Sequence, residues 1–313
     1  MDGLILVNKP KGMTSHDVVA RIRRILGTKK AGHFGTLDPL ATGLLLVGVG
    51  KATKLFPFYL HSAKNYKGRI RLGIATDTYD SEGQPVSKES ENYPDEKYLL
   101  HQMKIFEGEI EQVPPPYSAK KYKGEALYKR VRKKKEFKLK PCHVFIHYFR
   151  LKNYAPPYMD FEVKCSSGTY IRSIAHDLGQ KLGCGAHLHE LERTGIGQNK
   201  IESSHTLGNI EDMFSAGKIS QFLHPIEILL PELPKIVVDD NTAELVRSGR
   251  DFYSDSIPDS HVSDDKEISR HKKMVGVFRI FDQREKLIAL ASKKTGNQAL
   301  HPFLVFDPKN SCF

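Results

Sequence analysis

One carboxylate stands out by its setting. Asp38 lies in Gly-His-Phe-Gly-Thr-Leu-Asp-Pro-Leu-Ala-Thr-Gly over 32–43, where three glycines, a histidine and a proline share twelve positions with no other charged residue. Glycine opens backbone angles closed to other residues, and Pro39 pushes Asp38 out of the helical region. Such a loop aims one side chain. A carboxylate mounted this way can serve as a nucleophile, although an Asp before Pro is also an ordinary turn former.

Arg172 is the second candidate. The stripe Ile171, Ile174, Ala175, Leu178 and Leu182 predicts a helix capped by Thr169, with Arg172 in its first turn. The helix macrodipole opposes a cation there by about 0.3–1 kcal/mol. Arg172 therefore calls for a carboxylate or phosphate beside it, unless it is an exposed arginine that tolerates the cost. Core packing with a satisfied hydroxyl is the simplest role for Tyr66 and Tyr170. His187 and His189 point to one face of a strand with His176 nearby, yet the set is too small for a metal site, and ordinary polar histidines are expected. Gly48 and Lys51 lack the Gly-Lys-Ser/Thr of a phosphate-binding loop, so nucleotide hydrolysis is set aside. No Ser-His-Asp or Cys-His signature is present.

These residues need elements to hold them. A short buried strand over 3–8 ends at Lys9-Pro10, and Thr14 or Ser15 caps a helix over 16–26 closed by Gly27. A strand over 44–47 follows the Asp38 loop, and a helix is predicted over 52–60. Alternation predicts a strand over 67–72, and residues 80–83 a hairpin turn. A helix over 95–106 and strands over 144–151 and 160–165 come next. Strands and helices without a regular βαβ rhythm imply an α+β fold with a mixed or antiparallel sheet. Beyond residue 231, strands over 235–238, 274–281, 286–292 and 303–306, a helix over 242–248 and a polar loop over 251–266 suggest a small β-rich C-terminal domain.

The chain has 313 residues, 39% of them hydrophobic, and a net charge of +11. A mean hydropathy of −0.43 and a pI of about 9.3 suit a soluble protein with a polyanionic partner. No apolar run approaches the roughly 18 residues of a membrane helix, and the N-terminus has no signal-peptide pattern. Four scattered cysteines with no Cys-x-x-Cys fit a reduced, cytoplasmic setting. The charge is concentrated: residues 119–140 hold eleven Lys or Arg against two Glu, and so +9 of the total. Tyr117, Tyr122, Tyr128 and Phe137 lie beside or among them. The segment is either a solvated loop or an arm for nucleic-acid phosphates with aromatics to stack.

Taken together, the motifs resemble the TruB family of bacterial tRNA pseudouridine-55 synthases. The match runs in order through Lys-Pro-Lys-Gly-Met-Thr-Ser over 9–15, the whole of 32–43, and Tyr66 ahead of Leu72-Gly73 and Thr76-Asp77-Thr78. It continues through Pro-Pro-Tyr-Ser-Ala over 115–119, Cys-Ser-Ser-Gly-Thr-Tyr-Ile-Arg over 165–172, and 182–188 with Leu191, Arg193 and Thr194. It covers about residues 3–230.

The resemblance implies a pseudouridine synthase fold over 1–230: a mixed or antiparallel central sheet flanked by helices, with 119–140 as a basic, thumb-like insertion that contacts RNA. Residues 231–313 would form a PUA-like RNA-binding domain. The implied reaction isomerises uridine 55 in the T-loop of tRNA by base flipping, with no metal or cofactor. Asp38 would be the catalytic aspartate, paired with Arg172. Tyr66 would stack on the target base and has been proposed as a base. His33 would hold the disrupted loop, and Tyr170 and Leu191 would line the substrate pocket. The partner would be the tRNA T stem-loop, with no membrane and no obligatory protein partner, and the protein would be a monomer. A non-catalytic tRNA-folding chaperone and a synthase for another RNA are the alternatives. Two residues depart from the family pattern. Phe34 is bulky where a small residue is usual, which would place an aromatic surface at the pocket mouth. Glu192 replaces a common basic residue, which removes a presumed phosphate or structural contact.

Overall fold

A computed structural model describes residues 1–117, 141–254, 276–293 and 299–307, with the backbone of 121–122 and 125–126. The expectation for the basic segment 119–140 thus falls outside the described residues, apart from the pairing of two short strands, and so does most of the polar loop 251–266.

The strands are β1 (Gly3–Lys9), β2 (Ala31–His33), β3 (Thr42–Val49), β4 (Lys64–Leu72), β5 (Gly108–Gln112), β6 (Lys121–Tyr122), β7 (Glu125–Ala126), β8 (Cys142–Ala155), β9 (Tyr158–Cys165), β10 (Ala186–Ile196), β11 (Asn199–Lys200) and β12 (Leu223–Pro225). Beyond them come β13 (Lys235–Val237), β14 (Val277–Phe281), β15 (Leu287–Lys293) and β16 (Leu300–Val305). The α-helices are α1 (Ser15–Leu26), α2 (Phe56–Leu60), α3 (Glu96–Lys104), α4 (Ile171–Leu182), α5 (Leu207–Ser215) and α6 (Asp240–Arg247).

The main sheet runs β12-β1-β3-β10-β4-β9-β8-β5, with β2 on β3 and β11 on β10. Its pairings are antiparallel except β10 with β3, which are parallel and meet at only Glu192↔Thr42 and Arg193↔Gly43. This narrow seam joins two halves of a mixed sheet. β1 and β3 are buried on both faces, which is why they read as continuous apolar runs. Ile5, Val7, Leu45 and Val47 pack against α1 and α5, while Leu4, Leu6, Leu44 and Leu46 face the opposite way. Across the seam, Ile70, Phe161 and Val163 pack with Ile171, Ile174 and Leu178 of α4. The C-terminal residues form a second, four-stranded sheet, β13-β14-β15-β16.

Caps explain the helix bounds, with two corrections to the sequence expectation. Thr14 caps α1 in a reciprocal box with Asp17, and Gly27 closes it in the left-handed region at φ 60°. Thr169, by contrast, does not cap α4. Its hydroxyl donates to the Ser166 carbonyl at 2.9 Å, and the N-cap is Tyr170, with no side-chain cap bond. The expected helix over 52–60 splits into a 3-10 turn, Gly50–Leu55, and α2. Pro57 has no N–H to continue the ladder. β5 went unforeseen because Ile110 is its one large apolar residue. Among the described residues, no helix is long and apolar enough to cross a membrane.

Candidate active site

The Asp38 loop enters β3 at the seam, and its main chain is clamped from three sides. Ser15 Oγ accepts from the Leu37 N–H at 2.8 Å and donates to the Leu37 carbonyl at 3.1 Å. The Gly12 N–H donates to the Pro39 carbonyl at 2.8 Å. Lys9, fully buried, donates to the carbonyls of Pro10 (2.9 Å), Met13 (2.7 Å) and Pro39 (3.4 Å). Burial pushes its ammonium down to about 8, against the upward pull of the Asp38 carboxylate. From the far side, buried Arg193 donates from Nε to Leu44 O (2.8 Å), from Nη1 to Thr36 O (3.2 Å) and from Nη2 to Gly35 O (3.1 Å). Gly43 sits at φ 97°, where a Cβ would overlap the Arg193 carbonyl, so this closest point of the seam requires glycine.

So clamped, Asp38 faces a cavity of about 350 Å³. Arg172 Nε lies 3.0 Å from Asp38 Oδ2, at ion-pair distance but without hydrogen-bond geometry. The same guanidinium donates from Nη1 to Asp80 Oδ2 at 3.1 Å and to the Thr78 carbonyl at 3.2 Å, and from Nη2 to the Tyr117 carbonyl at 3.1 Å. The Arg172 and Asp80 side chains are 7% and 5% exposed, whereas that of Asp38 is 42% exposed. One buried cation thus joins a buried structural carboxylate to a solvent-facing one. Two anions on one guanidinium leave Asp38 only partly neutralised and open to the cavity.

Tyr66, Tyr170 and Leu191 line the same cavity, and His33 does not. Tyr66 stands opposite Arg193 in the β4–β10 register. Burial pushes its phenol up, and the Arg193 guanidinium works the other way. A phenol held neutral can stack and donate a hydrogen bond, and it is poorly suited to removing a proton. His33, at the end of β2, meets His16 edge to face at 5.0 Å, and its buried Nδ1 has no hydrogen-bond partner among the described residues. Burial, with His16 and Arg193 in support, lowers it to about 4, so the ring is neutral at physiological pH.

Three expectations from sequence take a different form. Phe34 is not at the pocket mouth. It is 1% exposed, stacks on Tyr59 at 5.3 Å and meets Phe56 edge-on at 5.9 Å. It fits because Gly48 leaves room: a Cβ there would come within 2.5 Å of its ring. Glu192 pairs with Lys67 at 2.6 Å beside a second groove, which shares Leu191 with the Asp38 cavity. Asp80, read from sequence as a turn residue, does accept the Gly83 N–H at its carbonyl, yet its side chain is the second partner of Arg172. Arg193, Lys9 and Ser15 also went unrecognised as loop clamps. Their partners are main-chain carbonyls and N–H groups, which leave no trace in side-chain spacing. His187 Nδ1 lies 2.9 Å from the Ile74 carbonyl, and among the described residues no group of His, Cys, Asp or Glu is placed to hold a metal ion.

A mixed sheet flanked by helices, followed by a small β-rich unit, is the fold of the pseudouridine synthase class. Residues 23–171 match the model of the TruB family pseudouridylate synthase (N terminal domain), and residues 172–231 that of the tRNA pseudouridylate synthase B C-terminal domain. The chain belongs to the TruB family. It is 44% identical to the tRNA pseudouridine synthase B of Solibacter usitatus over 80% of this chain and 86% of that one. The protein of the same name from Thermotoga maritima is 38% identical over 95% and 92%. A solved H/ACA RNP bound to a substrate RNA containing 2'-deoxyuridine includes a chain of similar fold, with a TM-score of 0.69 and 27% identity over 98% of this chain and 86% of that one.

Proposed function

We propose that the protein isomerises uridine to pseudouridine at position 55 in the T-loop of tRNA, with Asp38 as the catalytic carboxylate. The observation that carries this reading is the Asp38–Arg172–Asp80 arrangement at the seam cavity. The relatives named above supply the substrate class. A base inside a stack cannot enter the cavity that Asp38 lines, so the target uridine must flip out into it. There the N-glycosidic bond breaks, the uracil rotates, and carbon-5 bonds to the sugar. Carbon-5 loses a proton and the former glycosidic nitrogen gains one, so atoms balance without a cofactor. Arg172 orients the Asp38 carboxylate, the Tyr66 phenol packs on the uracil, and Tyr170 and Leu191 bound the pocket.

The cations of 119–140 would take phosphates of the T stem-loop, and the C-terminal β-rich unit would add a PUA-like RNA contact. On this reading the chain acts as a cytoplasmic monomer with no obligatory protein partner. The test is an unmodified tRNA transcript incubated with the protein alone, with pseudouridine mapped by position. Asp38→Asn should form none, while its RNA affinity stays within about tenfold, because phosphate contacts dominate binding. Turnover in that variant would refute the nucleophile. Modification at another position would refute the assigned target.

A further inference from the structure

Gln112 ends β5 and is only 2% exposed, although the side chains of Glu109 and Glu111 on the same strand are more than half exposed. A buried primary amide needs partners for both its oxygen and its nitrogen. Gln112 finds them on one residue: Oε1 accepts from the Tyr170 N–H at 2.7 Å, and Nε2 donates to the Tyr170 carbonyl at 3.0 Å. Tyr170 is the N-cap of α4, a position where a Ser, Thr or Asp side chain commonly holds a helix start. Here the hold comes from a distant strand. Two more bonds tie the same stretch to the same turn. Ser173 Oγ donates to the Val113 carbonyl at 2.8 Å, and Arg172 Nη2 to that of Tyr117 at 3.1 Å.

We propose that Gln112 is a positioning residue for the reaction. By fixing both main-chain polar groups of Tyr170, it sets the first turn of α4, and with it the Tyr170 ring and the Arg172 guanidinium beside Asp38. It acts through Tyr170 and touches no reacting atom. The inference rests on the pseudouridine-forming reading above.

Gln112→Leu keeps the volume and removes both bonds. With the full chain and an unmodified tRNA transcript, its single-turnover rate constant should fall about 10- to 100-fold, the scale of a small misplacement of reacting groups, while the Kd for the transcript stays within threefold. Gln112→Glu gives a second readout. Its protonated acid can accept the Tyr170 N–H and donate to the Tyr170 carbonyl as the amide does, whereas its carboxylate repels that carbonyl. The ratio of its rate to that of the wild type should therefore climb at least threefold from pH 8 to pH 5.5. A Gln112→Leu rate within threefold of wild type, or a loss confined to Kd, overturns the proposal. If that variant does not fold, a flat Gln112→Glu ratio overturns it. A wild-type protein that makes no pseudouridine instead removes the functional reading itself, so the two failures are told apart.

Discussion

At the residue scale, the site turns on how one arginine is shared. Arg172 is too buried to be hydrated, and on the proposed reading Asp80 is what keeps it in place when Asp38 engages substrate. Asp80→Asn preserves shape and removes that charge. It should lower the single-turnover rate by tenfold or more and destabilise the fold by about 1–3 kcal/mol, the usual range for a compromised buried partner. Single-turnover kinetics and urea unfolding of the same sample check both numbers. His33 makes a separate prediction. Its folded value of about 4 lies below the ordinary histidine value of about 6.5. Between those values the unfolded chain binds a proton that the folded chain refuses. Its stabilising effect is thus complete above pH 6.5 and lost as pH falls toward 4. His33→Asn should flatten that decline, by at most about 1 kcal/mol per pH unit because the ring is only partly buried. Unfolding midpoints at pH 7.5 and 4.5 measure it.

At the element scale, the strands carry the Asp38 loop, and their close fit is local and specific. Phe34 and Gly48 occupy one space between β2 and β3. Gly48→Ala alone should overpack it and cost about 1–3 kcal/mol. Phe34→Leu alone should cost a similar amount by leaving a void. Combined, the two should cost at least about 1 kcal/mol less than their sum, since each relieves the other. Strict additivity in the unfolding cycle would show that the ring and the strand are not in tight contact. An aromatic in a glycine-rich motif invites a role at the entrance. The strand pairing overrides it, because a large apolar side chain just past the end of β2 has core on its inner side.

Across the whole molecule, the two sheets share a core. Phe281, Leu287, Leu290 and Phe306 of the C-terminal unit complete the cluster formed by Leu4, Leu6, Phe34, Leu44 and Leu46. Lys54 donates to the Val305 carbonyl at 2.9 Å, and Phe58 stacks on Phe303 at 6.5 Å. Removing residues 231–313 would expose the outer face of the very strands that deliver Asp38. The truncated chain should unfold well below the full one or aggregate, and the full chain should melt in one cooperative transition. Calorimetry of both checks this, and two well-separated transitions in the full chain would show the shared core to be unimportant.

The sequence by itself determined the elements and the principal acid. Apolar period, caps and glycines mark β1, α1, β3 and α4 closely, because those signals act over one or two turns of chain. The special backbone of 32–43 singles out Asp38, and the helix start of Arg172 asks for an anion. Only the tertiary structure decided who answers. Asp80 lies 92 residues from Arg172 in the chain, and Arg193 reaches carbonyls more than 140 residues away. Nothing in local pattern records a bond between a side chain and a main-chain carbonyl that distant. The seam sets those partners, since only there do β3, β4, β10 and the start of α4 converge. It is also why Phe34 went into the core: residue type says that a ring must be buried, and the neighbouring strand's missing Cβ says where.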